Sequence, residues 1–157
     1  TSSLTPGTSP TGSEIVAMVQ GGNSRRTTTG AIAAANPEIW EIPVGDETTV
    51  LTQGPAKISS RARYAGTVVA IRASVNTAPT GSALVIDFNK SGASILGTTK
   101  INIDAGQKTS VTSVNQTSVV DGVLADDQEF SIDIDQVGGT TAGAGLKVAV
   151  YVRRTAS

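Results

Sequence analysis

Cysteine and histidine are both missing from the 157-residue chain. Their absence excludes disulfides, zinc sites built from these ligands, thiol nucleophiles and Ser–His–Asp relays. Aromatic residues make up only 3% of the sequence, so there is no row of rings on which sugars or bases could stack. The sequence therefore predicts a protein that is not an enzyme, with no catalytic residues, no cofactor and no metal ion.

Charge and long apolar runs are also scarce. Twelve basic and thirteen acidic residues give a net charge of -1, and charged residues make up 16% of the chain, against about 25% in typical domains. The apolar runs, such as Val68–Ile71, are far shorter than the about 20 residues that cross a bilayer. The N-terminus lacks the basic start and apolar run of a signal peptide. We therefore expect no nucleic-acid partner, no membrane partner, and synthesis in a cytoplasm.

The residues that are present alternate between apolar and polar over much of the chain, which is typical of strands with one buried face. Four segments show this pattern, with polar residues such as Asp87, Asn89, Asp133 and Asp135 on the opposite face. Their apolar positions are Val69, Ile71, Ala73 and Val75; Leu84, Ile86 and Phe88; Phe130, Ile132 and Ile134; and Leu146, Val148, Val150 and Val152. Shorter predicted strands are Trp40–Pro43, Thr48–Thr52, Ala56–Ser60, Ser94–Leu96, Thr99–Ile103 and Thr109–Val114.

Turn-forming residues separate these strands at Asn76–Ser82, Asn89–Gly92 and Asp104–Gln107. Strands joined by such turns, with no helices between them, predict an all-β fold: an antiparallel β-sandwich. Eight or nine strands without a Cys–Trp–Cys pattern favour a jelly-roll-like sandwich over an immunoglobulin fold. We place this domain at residues 39–157.

Residues 1–38 are interpreted as an extended N-terminal attachment arm, because their first dozen residues are Ser, Thr, Gly and Pro with a single Leu. Within the arm, an apolar run at Glu14–Val19, a Gln-Gly-Gly-Asn turn and the segment Ser24–Thr28 predict a hairpin. Gly30–Ala35 could add a helical turn that ends at Asn36-Pro37. We expect Trp40 to seal the join between arm and sandwich. The predicted partner-binding residues are Ile15, Val16, Met18, Val19, Arg25, Arg26 and Trp40.

Three segments invite chemical interpretations. The glycine-rich run Gly138–Gly145 lacks the helix and the Lys-Ser/Thr pair of a phosphate loop, so a connection between two strands is expected. Asp133 and Asp135 are about 6.7 Å apart on one strand face, a spacing open to glycoside hydrolysis, to calcium binding or to a hydrated outer face. The segment Asp121–Asp127 leaves a weak cation site open. The basic pairs Arg25-Arg26 and Arg153-Arg154 could bind an acidic neighbour or keep an edge soluble.

Two stretches resemble proteins of tailed-bacteriophage virions. The run Glu14–Thr29, with an acidic residue, an apolar run, Gln-Gly-Gly-Asn, a basic pair and threonines, resembles an N-terminal segment of such proteins. Gly66–Ser82 and Val85–Lys90, with Leu124–Asp127 and Ile132–Gly138, are similar to β-sandwich domains of phage fibre and capsid-decorating proteins. The resemblance implies an arm that fastens the protein to the particle, and it implies a trimer, since such proteins are often trimeric.

Three functions follow as hypotheses. The first is a homotrimeric capsid decoration or cement protein, located in the virion, that binds the major capsid protein or another virion protein through its arm and sandwich. The second is a tail-fibre or adaptor component that recognises a host-surface glycan. The third is a glycosidase that uses Asp133 with Asp135 or Glu129, which the lack of an aromatic cleft makes the least favoured.

Overall fold

A computed structural model describes residues 15–20, 23–28 and 36–155 of the chain, with side chains from residue 36 onward. These ranges contain eleven strands and one short 3-10 helix, at Ser110–Thr112. The strands are β1 Ile15–Gln20, β2 Asn23–Thr28, β3 Glu38–Val44, β4 Gly54–Arg61, β5 Gly66–Ser74, β6 Leu84–Lys90, β7 Ala93–Ser94, β8 Ile101–Ile103, β9 Val123–Leu124, β10 Glu129–Gln136 and β11 Leu146–Arg154. No helix long and apolar enough to cross a membrane occurs in them.

The strands form a two-stranded hairpin and two larger antiparallel sheets. The hairpin is β1-β2, one larger sheet has the order β3-β11-β5-β9, and the other has the order β4-β10-β6-β7 with β8 also paired to β6. The two larger sheets pack face to face around one apolar core, so the predicted all-β sandwich is confirmed.

Strand pairing within the sandwich is nested in the manner of a jelly roll. If β7 and β8 count together because both pair with β6, there are eight strands. The first then pairs with the last (β3 with β11), the second with the seventh (β4 with β10), the third with the sixth (β5 with β9) and the fourth with the fifth. This arrangement produces the two four-stranded sheets of a jelly roll.

The core is built from the inward positions of the alternating strands. In β6, β10 and β11 the apolar residues predicted to face inward are all buried, because each strand presents every second side chain to the facing sheet. Phe88, Ile132, Val148 and Val150 are fully inaccessible to solvent. The alternation therefore predicted the buried face of three long strands correctly.

In β5 the predicted phase holds for only part of the strand. Val152 pairs with Val68 and Tyr151 with Ala70, so Val69 is an extra residue that forms a β-bulge. The bulge turns Val68 inward at 2% exposure and leaves Val69 outward at 39%. The prediction that Val69 faces the core is therefore wrong, whereas Ile71 is buried as predicted.

The outer face of β6 is covered, contrary to expectation. Asp87 and Asn89 are each only 7% exposed. Asp87 accepts a hydrogen bond from Ser94 Oγ at 2.6 Å and forms an ion pair with Lys100 Nζ at 2.8 Å. The segment that follows the tight turn at Ser91-Gly92 therefore covers the polar face of β6. It supplies a hydrogen-bond donor and an ion-pair partner that the alternation of polar and apolar residues does not predict.

Two predicted strands are not strands. In Thr48–Thr52 the chain instead bends around Asp46, whose carboxylate accepts hydrogen bonds from the N–H groups of Thr48 and Thr49 at 2.8 and 2.6 Å. The Thr49 hydroxyl also donates to this carboxylate at 2.6 Å, and it contributes most, with the two backbone N–H groups, to holding the pKa of Asp46 well below its usual range. In Thr109–Val114 the 3-10 helix begins after Thr109, whose hydroxyl accepts from the Val111 N–H at 3.2 Å. Side-chain capping explains both departures, since it competes with strand pairing.

Candidate partner-binding surface

The predicted hairpin in the N-terminal region is present as β1 and β2. Its register pairs Ile15 with Thr28, Met18 with Arg25 and Gln20 with Asn23. Six of the predicted partner-binding residues lie on it: Ile15, Val16, Met18 and Val19 on β1, with Arg25 and Arg26 on β2. Their side chains and the predicted helical turn at Gly30–Ala35 lie outside the described residues, so their roles stay predictions.

Trp40, the seventh predicted residue, is part of the core. It is 2% exposed on β3 and packs edge-on against Tyr64, with ring centroids 5.3 Å apart. On its other side lies Phe130 at 6.3 Å, which stacks in turn on Phe88 at 4.9 Å. This aromatic row joins the two sheets. The indole N–H of Trp40 has no hydrogen-bond partner within the described residues.

The start of β3 is held to the sandwich by charged groups around this aromatic row. Tyr64 donates a hydrogen bond to Glu38 Oε2 at 2.7 Å, and Arg154 lies 3.9 Å over the Tyr64 ring. Burial and the neighbouring Glu38 carboxylate raise the pKa of Tyr64. Arg63 completes the group through an ion pair with Glu38. The point at which the chain enters the sandwich from the N-terminal region is therefore fixed.

Three loops at one end of the sandwich are bound together. We call this surface the loop end; it comprises residues 45–53, 75–83 and 137–145. Isolated bridges join Val50 and Thr77 to Ala144, and Thr80 to Thr141. Backbone hydrogen bonds accompany these bridges; for example, the Leu51 N–H donates to Gly143 O at 2.9 Å. The glycine-rich run thus joins β10 to β11 as predicted, and Lys147 beyond it is bound to Glu47 at 2.6 Å.

Asp133, one of the acidic residues considered for a glycosidase, bonds across the sheet. Asp133 and Asp87 are cross-strand neighbours, and the Asp133 carboxylate accepts a hydrogen bond from the Ala56 N–H of β4 at 2.8 Å. Burial raises the pKa of Asp135, and the charges of Asp87 and Asp133 raise it further, while Lys100 lowers it. In the described part of the chain no group of three acidic residues could hold a metal ion.

Because the pKa of Asp135 is raised by folding, we expect Asp135→Asn to stabilise the sandwich slightly at neutral pH. The folded state binds more protons than the unfolded state between the ordinary value of 3.8 and the raised value. Above this pH range the ionised carboxylate of Asp135 therefore destabilises the folded state. Below this pH range the destabilisation fades, because the carboxyl group is protonated. The gain should be well under about 1 kcal/mol, because the side chain is exposed to solvent.

Urea denaturation of both proteins at pH 7 and pH 3 measures this effect. The gain should be present at pH 7 and much smaller at pH 3. Asp126→Asn, at another exposed carboxylate, serves as the control. An Asp135→Asn protein that is less stable than the parent at pH 7 would contradict the sign of the shift.

In the segment Asp121–Asp127, for which the sequence allows a weak cation site, two carboxylates pair with basic side chains of the same chain. Lys90 Nζ lies 2.7 Å from the Asp121 carboxylate, and Arg61 lies 3.3 Å from that of Asp127. Lys90 also donates to the backbone oxygen of Val123 at 3.0 Å. These contacts tie β6 and β4 to the segment that carries β9.

A groove of about 360 Å³ lies beside β5. We call it the β5 groove. One wall is Val69–Arg72 of β5, and the other is the segment Asn115–Val119. Ile101, Asn102, Ser110 and Val111 complete its lining, in which Arg72 is the one charged residue. The sequence pattern does not predict this surface, because the surface depends on the bulge in β5 and on the 3-10 helix Ser110–Thr112, which lies where the pattern predicts a strand.

Comparison with known proteins assigns no family to this chain: no family model matches it, and no curated protein or solved structure shows significant similarity.

Proposed function

We propose that this protein is a non-enzymatic structural protein of a tailed-phage virion, a homotrimeric decoration or cement protein that binds the major capsid protein or another virion protein. The observation that carries the proposal is the nested strand pairing of the sandwich, because jelly rolls recur in viral capsid domains. Because one fold can host many functions, the proposal also rests on the surfaces of the sandwich.

The charged groups support a structural role. Six ion pairs within the described residues engage Arg61, Arg63, Lys90, Lys100 and Lys147 with carboxylates of the same chain. The β5 groove is lined by hydroxyl, amide and apolar groups and the guanidinium of Arg72, with no carboxylate that could act as a general acid or base. These surfaces are suited to binding another surface by shape.

The outer face of the β3-β11-β5-β9 sheet supports self-association. Ile39 is 51% exposed and pairs with Tyr151, which in turn pairs with Ala70. Val69 and Val123 extend this apolar strip, since both are exposed. Apolar and aromatic side chains on one exposed face are typical of contacts between protein subunits. We assign the contact between copies to this face.

Deleting residues 1–36 is expected to leave a folded sandwich that no longer binds virus particles. The described core begins at Trp40, so the deletion removes none of its residues. Co-sedimentation with purified particles measures binding, and circular dichroism checks folding. The affinity for particles should fall by at least about 100-fold, which corresponds to a loss of about 2.7 kcal/mol of binding free energy.

A charge reversal provides the matched test. Arg25→Glu/Arg26→Glu on β2 should weaken particle binding, whereas Lys57→Glu/Lys108→Glu, at two exposed lysines of the sandwich, should retain it. Undiminished binding by the truncated protein would refute the attachment role of the N-terminal residues.

A second candidate function is that of a tail-fibre or adaptor component that binds a host-surface glycan. The loop end favours it, because its three cross-bridged loops present Thr, Asn and Gly groups on a rigid surface, and jelly rolls also occur in lectins. Electron microscopy of gold-labelled particles separates the two functions. Many copies over the head support decoration, whereas label confined to the tail, together with hits on a glycan array, supports the alternative.

A further inference from the structure

The edge of β5 is open along the β5 groove. The neighbouring strand β9 pairs with β5 only at Gly66 and Thr67, and the next connection on this edge is the bridge from Ser74 to Thr109. The Val68 N–H is bound to Gly122 O, and the Ala73 N–H is bound to Ser110 Oγ. Between these two contacts, β11 pairs with one side of β5, but residues 69–72 have no strand on this outer edge in the part of the chain that the structure describes.

The open edge presents backbone hydrogen-bonding groups to the groove. Alternate residues of a strand face the same neighbour. The Ala73 N–H points away from β11, so the N–H and C=O of Ile71 point to the same side. An uncovered strand edge is a template on which an extended peptide can add by backbone hydrogen bonds.

The groove has two walls, and this limits what can occupy it. The segment Asn115–Val119 lies opposite β5 and is itself fixed, since Thr117 Oγ1 donates to Thr99 O at 2.7 Å and Gln116 Nε2 donates to Ser113 O. The second wall would block the broad edge of another sheet, so a single extended segment fits. Its lining is neutral except for Arg72, whose guanidinium lies 5.3 Å over the Tyr151 ring.

The first thirteen residues of the chain have the chemistry of such a segment. Thr1–Ser13 contain no charged residue and only Leu4 as a large apolar side chain. Pro6 and Pro10 are four positions apart, so in an extended strand both would face the same side. Every residue that faces the other side keeps its N–H. Proline is accepted on edge strands in this orientation.

The hairpin brings this segment within reach of the groove of the same chain. Because Ile15 pairs with Thr28, the chain returns after β2 to the point at which it entered β1. The ten residues from Thr28 to Glu38 span at most about 35 Å. Glu38 pairs with Val152, which pairs with Val68 at the end of the groove, a distance of two strand spacings or about 10 Å.

We propose that the β5 groove is a strand-binding site whose occupant is the segment Thr1–Ser13 of the same chain. The added strand runs along residues 69–72 and exchanges hydrogen bonds with Ile71. This arrangement tethers the β1-β2 hairpin on both sides, through the groove and through β3. Such tethering lowers the entropy cost of presenting the hairpin to a partner. The inference does not depend on which partner the hairpin binds.

Cysteine cross-linking tests the proposal in the full-length protein, which has no cysteine of its own. The variant Ser9→Cys/Val111→Cys places one thiol in the segment and one on the groove lining. The control Ser9→Cys/Val50→Cys uses an equally exposed valine at the loop end, with Val50 at 60% and Val111 at 52% exposure. With a short bismaleimide, we expect at least five times more intrachain product in the groove variant, unchanged on 100-fold dilution.

Hydrogen exchange of the Ile71 amide gives an independent measurement. Removing residues 1–13 should speed exchange at Ile71 at least tenfold and leave the buried Ile132 amide unchanged. Equal cross-linking in the two variants, or unchanged exchange at Ile71, would overturn the proposal. A cross-link between chains would also overturn it, because the occupant would then come from a neighbouring copy. Ser118→Cys, at another exposed position of the groove lining, replaces Val111→Cys if the latter variant does not fold.

Discussion

Replacing Phe130 with Ala is expected to lower the free energy of unfolding by about 3–5 kcal/mol. Phe130 is 2% exposed and lies between Trp40 and Phe88 in the aromatic row that joins the two sheets. Its removal loses the transfer free energy of the ring and leaves a cavity, because strands on both sides hold the walls apart. For a domain of this size the melting temperature should fall by about 2–4 °C per kcal/mol.

Urea denaturation followed by Trp40 fluorescence measures this loss, since Trp40 is the single tryptophan. Phe130→Leu should lose less, because it leaves a smaller cavity. Val114→Ala, at a position that is 86% exposed, should change stability by no more than about 0.5 kcal/mol. A loss below about 1 kcal/mol in Phe130→Ala would show that the two sheets do not depend on the aromatic row.

Asp87→Ala is expected to destabilise the protein by about 2–3 kcal/mol. The Asp87 carboxylate accepts from its neighbour's N–H at 2.8 Å and from Ser94 Oγ, and it pairs with Lys100. Lys100 is only 27% exposed and also donates to Ser94 Oγ at 2.7 Å. Removing the carboxylate therefore leaves a partly buried ammonium group without its counter-charge.

The double variant Asp87→Ala/Lys100→Met tests whether the loss comes from the pair. It should recover part of the stability, because the lone ammonium group is gone. Glu129→Ala breaks an exposed pair with Arg61 in the same sheet and should lose no more than about 1 kcal/mol. If Asp87→Ala and Glu129→Ala had equal effects, the covered face of β6 would contribute nothing beyond an exposed ion pair.

These two predictions concern opposite sides of the same sheet. The inner side depends on apolar volume, and the outer side depends on one carboxylate with three donors. Both keep β6 and β10 in position, and β10 leads into the loop end. The sandwich carries the surfaces proposed to contact other molecules. Its free energy of unfolding can therefore be measured separately from binding.

The sequence determined the class of fold and most of the core. A period of two residues is a local property of a strand, so it predicted the buried faces of β6, β10 and β11. The glycine and asparagine signals located the turn at Ser91-Gly92, where both residues have positive φ, as a two-residue hairpin turn requires. The hairpin at residues 15–28 followed from the same reasoning.

Only the tertiary structure decided which strands pair and which polar faces are covered. The nested order of the sheets depends on contacts between residues far apart in sequence, such as β3 with β11, which no local pattern contains. The bulge at Val69 shifted the phase of β5, and the segment that carries Lys100 closed over Asp87. Both events involve backbone and charge partners from other elements. For the same reason the β5 groove, which two distant segments form together, could not be predicted from either of them alone.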